Sequence, residues 1–263
     1  MTAPTNGDTQ RNEASAARTN APDAEITVTK DGPYRVRGSV PIFVQRVVAD
    51  ANGESVDWEQ GPAIDAPAEY ALCRCGHSST KPFCDETHLK IGFKGEETAS
   101  HEPYVEQAFE VDGPTVILTD AEDLCSFARF CDYGDRVWNL VQSESEGDVS
   151  LGVLEAGRCP SGRLVAWNRE NLTAIEPHFE PSVGLIQDPS LGVSGPLWVR
   201  GGIPVVSEDG YRYEVRNRVT LCRCGASENK PFCDGSHARI GFQDGLDADV
   251  RDAHEAAAPD PDR

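Results

Sequence analysis

Two stretches of the chain carry three cysteines and one histidine in the same order and at the same spacing. Both read C-x-C, eight residues, C, three residues and H, and an Ile-Gly-Phe segment follows soon afterwards. Three thiolates and one imidazole make a complete set of four ligands for zinc or iron. The sequence therefore predicts two metal centres. Their candidate ligands are Cys73, Cys75, Cys84 and His88 in the first set and Cys222, Cys224, Cys233 and His237 in the second.

The spacing within each set favours a cluster of two irons over a single ion. One residue separates Cys73 from Cys75, whereas zinc sites typically leave two to four residues between paired ligands. The tight pair is suited to holding one iron of a flat binuclear cluster. The other iron would then be held by Cys84 and His88, since a four-residue step places both side chains on one face of a helical turn. A zinc site is the alternative.

The residues around the ligands are also shared between the two stretches. They include Cys73, Cys75, Ser78, Pro82, Cys84, Asp85 and His88 in the first copy, and Cys222, Cys224, Ser227, Pro231, Cys233, Asp234 and His237 in the second, where Gly235 and Ser236 complete the motif in that copy alone. Both copies resemble the CDGSH iron–sulfur domain of the mitoNEET-like proteins. The resemblance implies a redox-active 2Fe–2S cluster on each set of three cysteines and one histidine, beside a β-rich cap, often within a two-fold dimer.

The first copy departs from the family pattern at Glu86 and Thr87, where Gly and Ser are expected. If the Gly position requires a left-handed backbone, Glu86 would strain that site.

The histidine ligand itself has consequences for the chemistry. A neutral imidazole in place of a thiolate raises the reduction potential of a cluster. Because ligands must be deprotonated, acid is expected to release the metal.

A third group of cysteines, Cys125, Cys131 and Cys159, lies between the two copies. The first two are spaced C-x5-C, and the third begins a Cys-Pro-Ser-Gly segment. Bacterial ferredoxins use C-x2-C-x2-C and a distant Cys-Pro, and Ala128 occupies the central position here. Three thiolates suit a 3Fe–4S cluster, or a 4Fe–4S cluster with one ligand that is not cysteine. The alternative is three buried or reactive cysteines in a small α/β domain.

This middle stretch resembles the divergent single-cluster ferredoxin domains that share the C-x5-C and Cys-Pro-Ser-Gly pattern. Some members carry a histidine two residues after the first cysteine, but Phe127 stands there in this chain. The resemblance therefore implies a cluster and leaves its fourth ligand open.

Short elements must position these residues. Residues 32–41 are similar to residues 195–204, so each copy has a β-rich segment upstream of its ligands. Asp85 and Asp234 stand where an N-cap would start a short helix carrying each histidine. The predicted strands are residues 34–36, 42–48, 116–118, 164–167, 197–199 and 211–215, and the predicted helix in the middle stretch covers residues 152–155.

The predicted fold class is α+β, with small β-rich domains stapled by metal. Two CDGSH-type lobes with β-cap strands would flank an inserted ferredoxin-like α+β domain. The predicted boundaries are a disordered tail at 1–24, the first CDGSH-type domain at 25–105, the ferredoxin-like domain at 106–185, the second CDGSH-type domain at 186–245 and an acidic tail at 246–263. The two copies could pair within one chain and mimic the dimer of the family.

Composition restricts the partners and the compartment. The formal net charge is −20, which repels nucleic acid and anionic membrane surfaces. No apolar run approaches the ~20 residues needed to cross a bilayer, and the N-terminus lacks the apolar region of a secretory signal. A cytoplasmic location is therefore expected. In a reducing compartment, nine cysteines are expected to bind metal rather than form disulfides.

Three functions fit these features. The first is single-electron transfer between a reductase and an oxidase, with the acidic surface docking on the basic face of a redox protein. The second is storage of iron–sulfur clusters or their transfer to apo iron–sulfur proteins, and the third is redox or pH sensing. Since the sequence has no Ser/His/Asp set, phosphate loop or dinucleotide fingerprint, an enzyme is not expected. The expected cofactors are two 2Fe–2S clusters and a third 3Fe–4S or 4Fe–4S cluster.

Overall fold

The computed structural model describes residues 23–246. Apart from Asp23, Ala24 and Leu246, the two predicted tails lie outside the described residues. This part of the chain contains β1 (Glu25–Val28), β2 (Tyr34–Arg37), β3 (Ile42–Ala49), β4 (Ser55–Ile64), β5 (Tyr70–Leu72), β6 (Phe109–Asp112), β7 (Val116–Asp120), β8 (Leu164–Asn168), β9 (Ala174–Ile175), β10 (Ser182–Asp188), β11 (Val193–Arg200), β12 (Val205–Val206) and β13 (Arg218–Leu221). Its helices are α1 (Thr87–Ile91), α2 (Tyr104–Gln107), α3 (Arg136–Leu140), α4 (Glu146–Arg158) and α5 (Ser236–Arg239), with 3-10 turns at Glu122–Leu124 and Phe130–Asp132. The predicted β-rich α+β class is confirmed. Within residues 23–246, the helices are too short and too polar to span a membrane.

Residues 23–246 form three sheets, and two of these are built from both halves of the chain. One has the order β12-β1-β2-β5 and the other β13-β11-β10-β3-β4. Strand β3 directly follows the repeated segment 32–41, and β12 directly follows its counterpart 195–204. Each of these strands joins the sheet of the other half, so that β12 pairs in parallel with β1 and β3 pairs in parallel with β10. An equivalent hydrogen bond is found at each crossing. The amide of Ile26 donates to the carbonyl of Pro204, and the amide of Val183 donates to the carbonyl of Pro41, each at 2.9 Å.

The strands that lead into the two Cys/His sets hold equivalent places in these sheets. β5 pairs antiparallel with β2 and ends at Leu72, and β13 pairs antiparallel with β11 and ends at Leu221. Both leucines are fully buried in one apolar core shared by the two sheets, together with Tyr34 and Leu197. Burying a side chain of this size contributes about 1.5–3 kcal/mol. Each ligand set therefore begins where a well-anchored strand ends.

The inserted region has its own sheet, in the order β6-β7-β8-β9. Helix α4 packs on this sheet, and Leu118, Ala156 and Leu164 lie in the core between them. The helix starts well before the predicted residues 152–155, since the Ser145 side chain caps it by accepting from the amide of Asp148. It ends directly before Cys159 and so fixes the position of that thiol.

One predicted strand, residues 211–215, is wrong. The segment forms only an isolated bridge between Arg212 and Val206. Its neighbour β12 has two residues and offers few backbone groups for pairing. The side chains find partners elsewhere, because the Tyr211 ring stacks on His101 at 3.8 Å and the Tyr213 ring meets the same histidine edge-on at 5.4 Å.

Strand β10 crosses the position where the sequence places the border between the middle and second domains, residue 185. All seven of its residues are buried. It pairs with β11 of the second half and with β3 of the first half, so it belongs to the sheet that supports the second Cys/His set.

Candidate metal centres

The first Cys/His set is arranged as two pairs of ligand atoms. Cys73 directly follows β5, and its Sγ lies 3.8 Å from the Sγ of Cys75. The Sγ of Cys84 lies 3.4 Å from Nδ1 of His88, which is held within α1. The second pair therefore comes together as the spacing predicts, although Cys84 lies before α1 and not within one helical turn with His88.

The second set repeats this geometry. The Sγ atoms of Cys222 and Cys224 lie 3.7 Å apart, and the Sγ of Cys233 lies 3.4 Å from Nδ1 of His237 in α5. Across residues 23–246, no three Cys, His, Asp or Glu side chains converge on a single-ion site. The arrangement in both copies is two pairs of donors, which fits two adjacent irons with two protein ligands each.

Backbone hydrogen bonds fold the loop between the pairs back onto the preceding strand. In the first copy, the amide of Cys73 donates to the carbonyl of Pro82 at 2.8 Å, and the amide of Cys84 donates to Ala71 at 2.9 Å. The Ser78 hydroxyl donates to the carbonyl of Phe83 at 2.6 Å and closes the loop. These bonds set the distance between the two ligand pairs. The second copy has the same bonds, from Cys222 to Pro231, from Cys233 to Thr220 and from Ser227 to Phe232.

The predicted N-caps lie one residue before the observed ones. The cap position is taken by Glu86 in the first copy and by Gly235 in the second. Asp85 still serves the helix, because its carboxylate accepts the amide of Thr87 at 3.0 Å and the amide of Ser79 at 2.8 Å. The hydrogen bonds from Ser79 and then Thr87 hold the pKa of Asp85 well below its usual range.

The cap residue has a left-handed backbone in both copies, with φ 66° at Glu86 and 80° at Gly235. The expectation that this position favours glycine is therefore correct, since the left-handed region costs a residue with a Cβ about 1–2 kcal/mol. The conformation has a use. It aims the amide of each cap residue at the cysteine two residues before it, at 3.4 Å from the Sγ of Cys84 or Cys233. An N–H donor there stabilises a thiolate.

The three middle cysteines line one small recess, together with Pro160 and Arg163. Burial, with the nearby Cys159 thiol, raises the pKa of Cys131 to about 12. The loop from Cys125 to Cys131 turns sharply, because Phe127 and Arg129 both have positive φ. The structure therefore brings together three thiols that are separated in the sequence.

A polar atom in this recess lacks a partner. The Oγ of Ser126 is buried beside Cys125 and, within the described chain, receives no hydrogen bond and makes none. An orphaned buried hydroxyl normally costs about 1–3 kcal/mol. The site would satisfy it if an inorganic cluster with sulfide or iron filled the recess. The donor chemistry of the recess therefore fits a cluster.

Comparison with protein families agrees with this geometry. A family model described as an iron-binding zinc finger of CDGSH type matches residues 31–89 and 194–238. A model described as a divergent 4Fe-4S mono-cluster matches residues 111–169. The chain is an iron–sulfur protein with two CDGSH regions around a divergent 4Fe-4S region. Neither the curated proteins nor the solved structures contained a significant match to it.

The two CDGSH sites differ in burial. His237 is 4% exposed, and burial together with the positive charge of Arg223 lowers its pKa to about 4. His88 is half-buried. Its helix α1 has no buried residue and presents Leu89, which is 70% exposed, and Ile91 to solvent. The first CDGSH site is therefore open and the second is enclosed.

The two CDGSH sites also touch. Gly76 and Gly225 directly follow the C-x-C pairs, and both have positive φ. A Cβ on Gly225 would lie 2.6 Å from the carbonyl oxygen of Cys75, and a Cβ on Gly76 would overlap the carbonyl of Cys224. The two C-x-C loops therefore pack back to back, and only glycine fits between them. These glycines were not among the predicted site residues, although the repeated C-x-C-G pattern marks both of them in the sequence.

Proposed function

We propose that this protein transfers single electrons through 2Fe–2S clusters on its two CDGSH sites and a third cluster, 3Fe–4S or 4Fe–4S, on the middle cysteines. One observation carries the proposal, the back-to-back contact of the two C-x-C loops at Gly76 and Gly225. Electron exchange requires sites held close together in fixed geometry, and two independent metal staples would not need to touch.

The assignment of ligands follows the pairs. In each 2Fe–2S cluster, the two C-x-C thiolates would bind one iron. The third cysteine and the Nδ1 of the histidine would bind the other iron. Such a cluster, when bound, accepts one electron at a time. The chain supplies the amides of Glu86 and Gly235, which donate toward the thiolates of Cys84 and Cys233 and disperse their charge. The middle ligands would be Cys125, Cys131 and Cys159.

A redox partner would dock at the open CDGSH site. His88 is half-buried, and Leu89 beside it is the most exposed large apolar side chain among the described residues. Since the net charge is −20, the fitting partner is a reductase or oxidase with a basic docking face, because complementary charge speeds association.

The test of electron transfer begins with protein purified without oxygen. Iron and sulfide analysis with electron paramagnetic resonance (EPR) is expected to find two 2Fe–2S clusters and one further cluster. Mixing with a ferredoxin reductase and its reduced nicotinamide should then bleach the visible absorbance rapidly, and air should restore it without loss of iron. Colourless protein loaded with zinc, or reduction slower than cluster loss, would refute the proposal.

Cluster transfer to apo iron–sulfur proteins is the second candidate, and the openness of the His88 site favours it. An incoming thiol can reach a half-buried histidine more readily than the buried His237. Incubation with an apo-ferredoxin distinguishes the two functions. A carrier keeps both clusters, whereas a donor loses the cluster at His88 first. Sensing of redox state or pH through the same histidine would instead change partner binding without cluster loss.

We also infer that the two CDGSH copies pair within one chain in place of a dimer. The parallel pairing of β12 with β1 and of β3 with β10 supports this, because each copy completes the sheet of the other. Analytical ultracentrifugation should find a monomer at micromolar concentration. A stable dimer would contradict the inference.

A further inference from the structure

The second CDGSH site contacts the loop that carries the first middle cysteine. A Cβ placed on Gly235 would lie 3.1 Å from the Cβ of Phe127 and 3.4 Å from the carbonyl oxygen of Cys125. Gly235 stands between the ligands Cys233 and His237 in the sequence. Two ligand-bearing loops therefore meet at one glycine, where an added methyl group would reach both the Phe127 side chain and the backbone of the other loop.

Further bonds hold the middle cysteines against the second CDGSH region. The side-chain amide of Asn229 donates to the carbonyl of Asp123 at 2.8 Å. The Nε of Arg218, a buried residue of β13, donates to the carbonyl of Cys159 at 2.6 Å. Both the loop before Cys125 and the turn at Cys159 are thus tied to the strand and loop of the second site.

The first CDGSH site has no equivalent neighbour among the described residues. The position of Gly235 is taken there by Glu86, which is exposed. The first half reaches the middle region through β4, where the indole nitrogen of Trp58 donates to the carbonyl of Arg158 at 3.0 Å. That contact lies on a different strand from the ligands of the first site. The second site alone thus borders both other ligand sets, at Cys224 and at Gly235.

We infer that the three ligand sets form a linear array with the second CDGSH site at its centre. Its C-x-C loop faces the first CDGSH site, and its Cys233 and His237 side faces the middle cysteines. The inference rests on the proposed electron transfer. One electron would leave a reduced partner protein, pass between neighbouring sites without any bond forming or breaking, and reach an oxidised partner protein at the other end.

The array is tested by EPR on the loaded protein, fully reduced with dithionite. A fast-relaxing neighbour makes a 2Fe–2S signal harder to saturate with microwave power. We expect the signal of the second site to need several-fold more power than that of the first site. The variants His88→Cys and His237→Cys assign the two signals, because each changes the g values of only its own site.

The variants Cys125→Ser and Cys159→Ser each remove one middle ligand. The signal assigned by His237→Cys should then saturate like that of the first site. Equal saturation of both signals in the unmodified protein would overturn the array, as would a fast-relaxing signal assigned to the His88 site or an iron content of only the two CDGSH clusters. These outcomes are separate from the reductase assay. A protein with coupled signals but no reduction by any partner would retain the array and reject electron transfer.

Discussion

The hydroxyl of Tyr34, in the first half of the chain, donates to the carbonyl oxygen of Cys222 in the second half at 2.8 Å. The same hydroxyl lies 3.0 Å from the carbonyl of Pro231. Both carbonyls belong to the loop that holds the second CDGSH site. The matching position in the second half is Leu197, which has no hydroxyl, so the support runs in one direction only.

We expect Tyr34→Phe to weaken the second CDGSH site and leave the first intact. The change removes the hydroxyl that donates to the buried carbonyl of Cys222, which costs about 1–3 kcal/mol, whereas the Pro231 carbonyl keeps the amide of Cys222 as a donor. The half-life of the second cluster at elevated temperature should shorten, measured by visible absorbance and by its EPR signal. Tyr70→Phe is the matched control, since Tyr70 is buried and its hydroxyl donates to the carbonyl of Val40 at 2.8 Å. Equal loss of the second cluster in both variants would contradict this role of Tyr34.

Gly235→Ala should loosen the contact between the second site and the middle loop. The added methyl group meets the Cβ of Phe127 at 3.1 Å and sits at φ 80°. The left-handed strain alone costs about 1–2 kcal/mol, so a fall in melting temperature of several degrees is expected for a chain of this size. Gly210→Ala measures that strain by itself, because Gly210 has φ 89° and open space around it.

A double-mutant cycle with Phe127→Gly isolates the collision. Removing the Phe127 side chain leaves space for the new methyl group, and glycine suits the φ of 56° at that position. The destabilisation by Gly235→Ala should therefore be smaller in the Phe127→Gly background. Additive effects in the cycle would mean that the two residues do not interact.

Glu86→Gly should stabilise the first CDGSH site. Glu86 is exposed and has φ 66°, so glycine relieves about 1–2 kcal/mol of backbone strain. The amide that donates to Cys84 is kept. The cluster at His88 should be released more slowly on heating. Gly92→Ala is the reciprocal control at the other end of α1, with φ 64° and nothing within contact distance, and it should accelerate release. A faster loss in Glu86→Gly would show that the carboxylate has a role of its own.

Local features of the sites were predictable from the sequence. The closeness of Cys84 to His88, and the left-handed residue at the position of Gly235, depend on a few adjacent residues. The convergence of Cys159 with the C-x5-C loop followed from the ferredoxin-like order of elements. Each of these features is set by spacing or by backbone sterics.

Features that depend on distant partners were not predicted. The exchange of β3 and β12 between sheets depends on which carbonyl the amides of Ile26 and Val183 reach. Spacing within one strand does not encode that choice. The same holds for Tyr34. Its aromatic side chain predicts a strand, but nothing in the local sequence indicates that its hydroxyl donates to Cys222, 188 positions further along the chain. The wrong prediction of a strand at residues 211–215 also has this cause. The segment has high β propensity, but it lacks a neighbouring strand long enough to pair with it.

Acid should release the first CDGSH cluster at a higher pH than the second. A histidine ligand must be neutral to hold iron, so protonation opposes binding. Burial and then the charge of Arg223 lower the pKa of His237 to about 4, against a usual 6.5, while Asp234 acts in the opposite direction. A lowered pKa keeps this imidazole neutral to lower pH, so binding at the second site should persist to lower pH than an ordinary imidazole would allow. His88 is half-buried and more accessible to protons and water.

Visible absorbance followed against pH should therefore decay in two phases. His88→Cys should abolish the phase at higher pH and His237→Cys the phase at lower pH. Decay of both clusters in a single phase, unchanged in either variant, would reject the histidines as the acid-sensitive ligands.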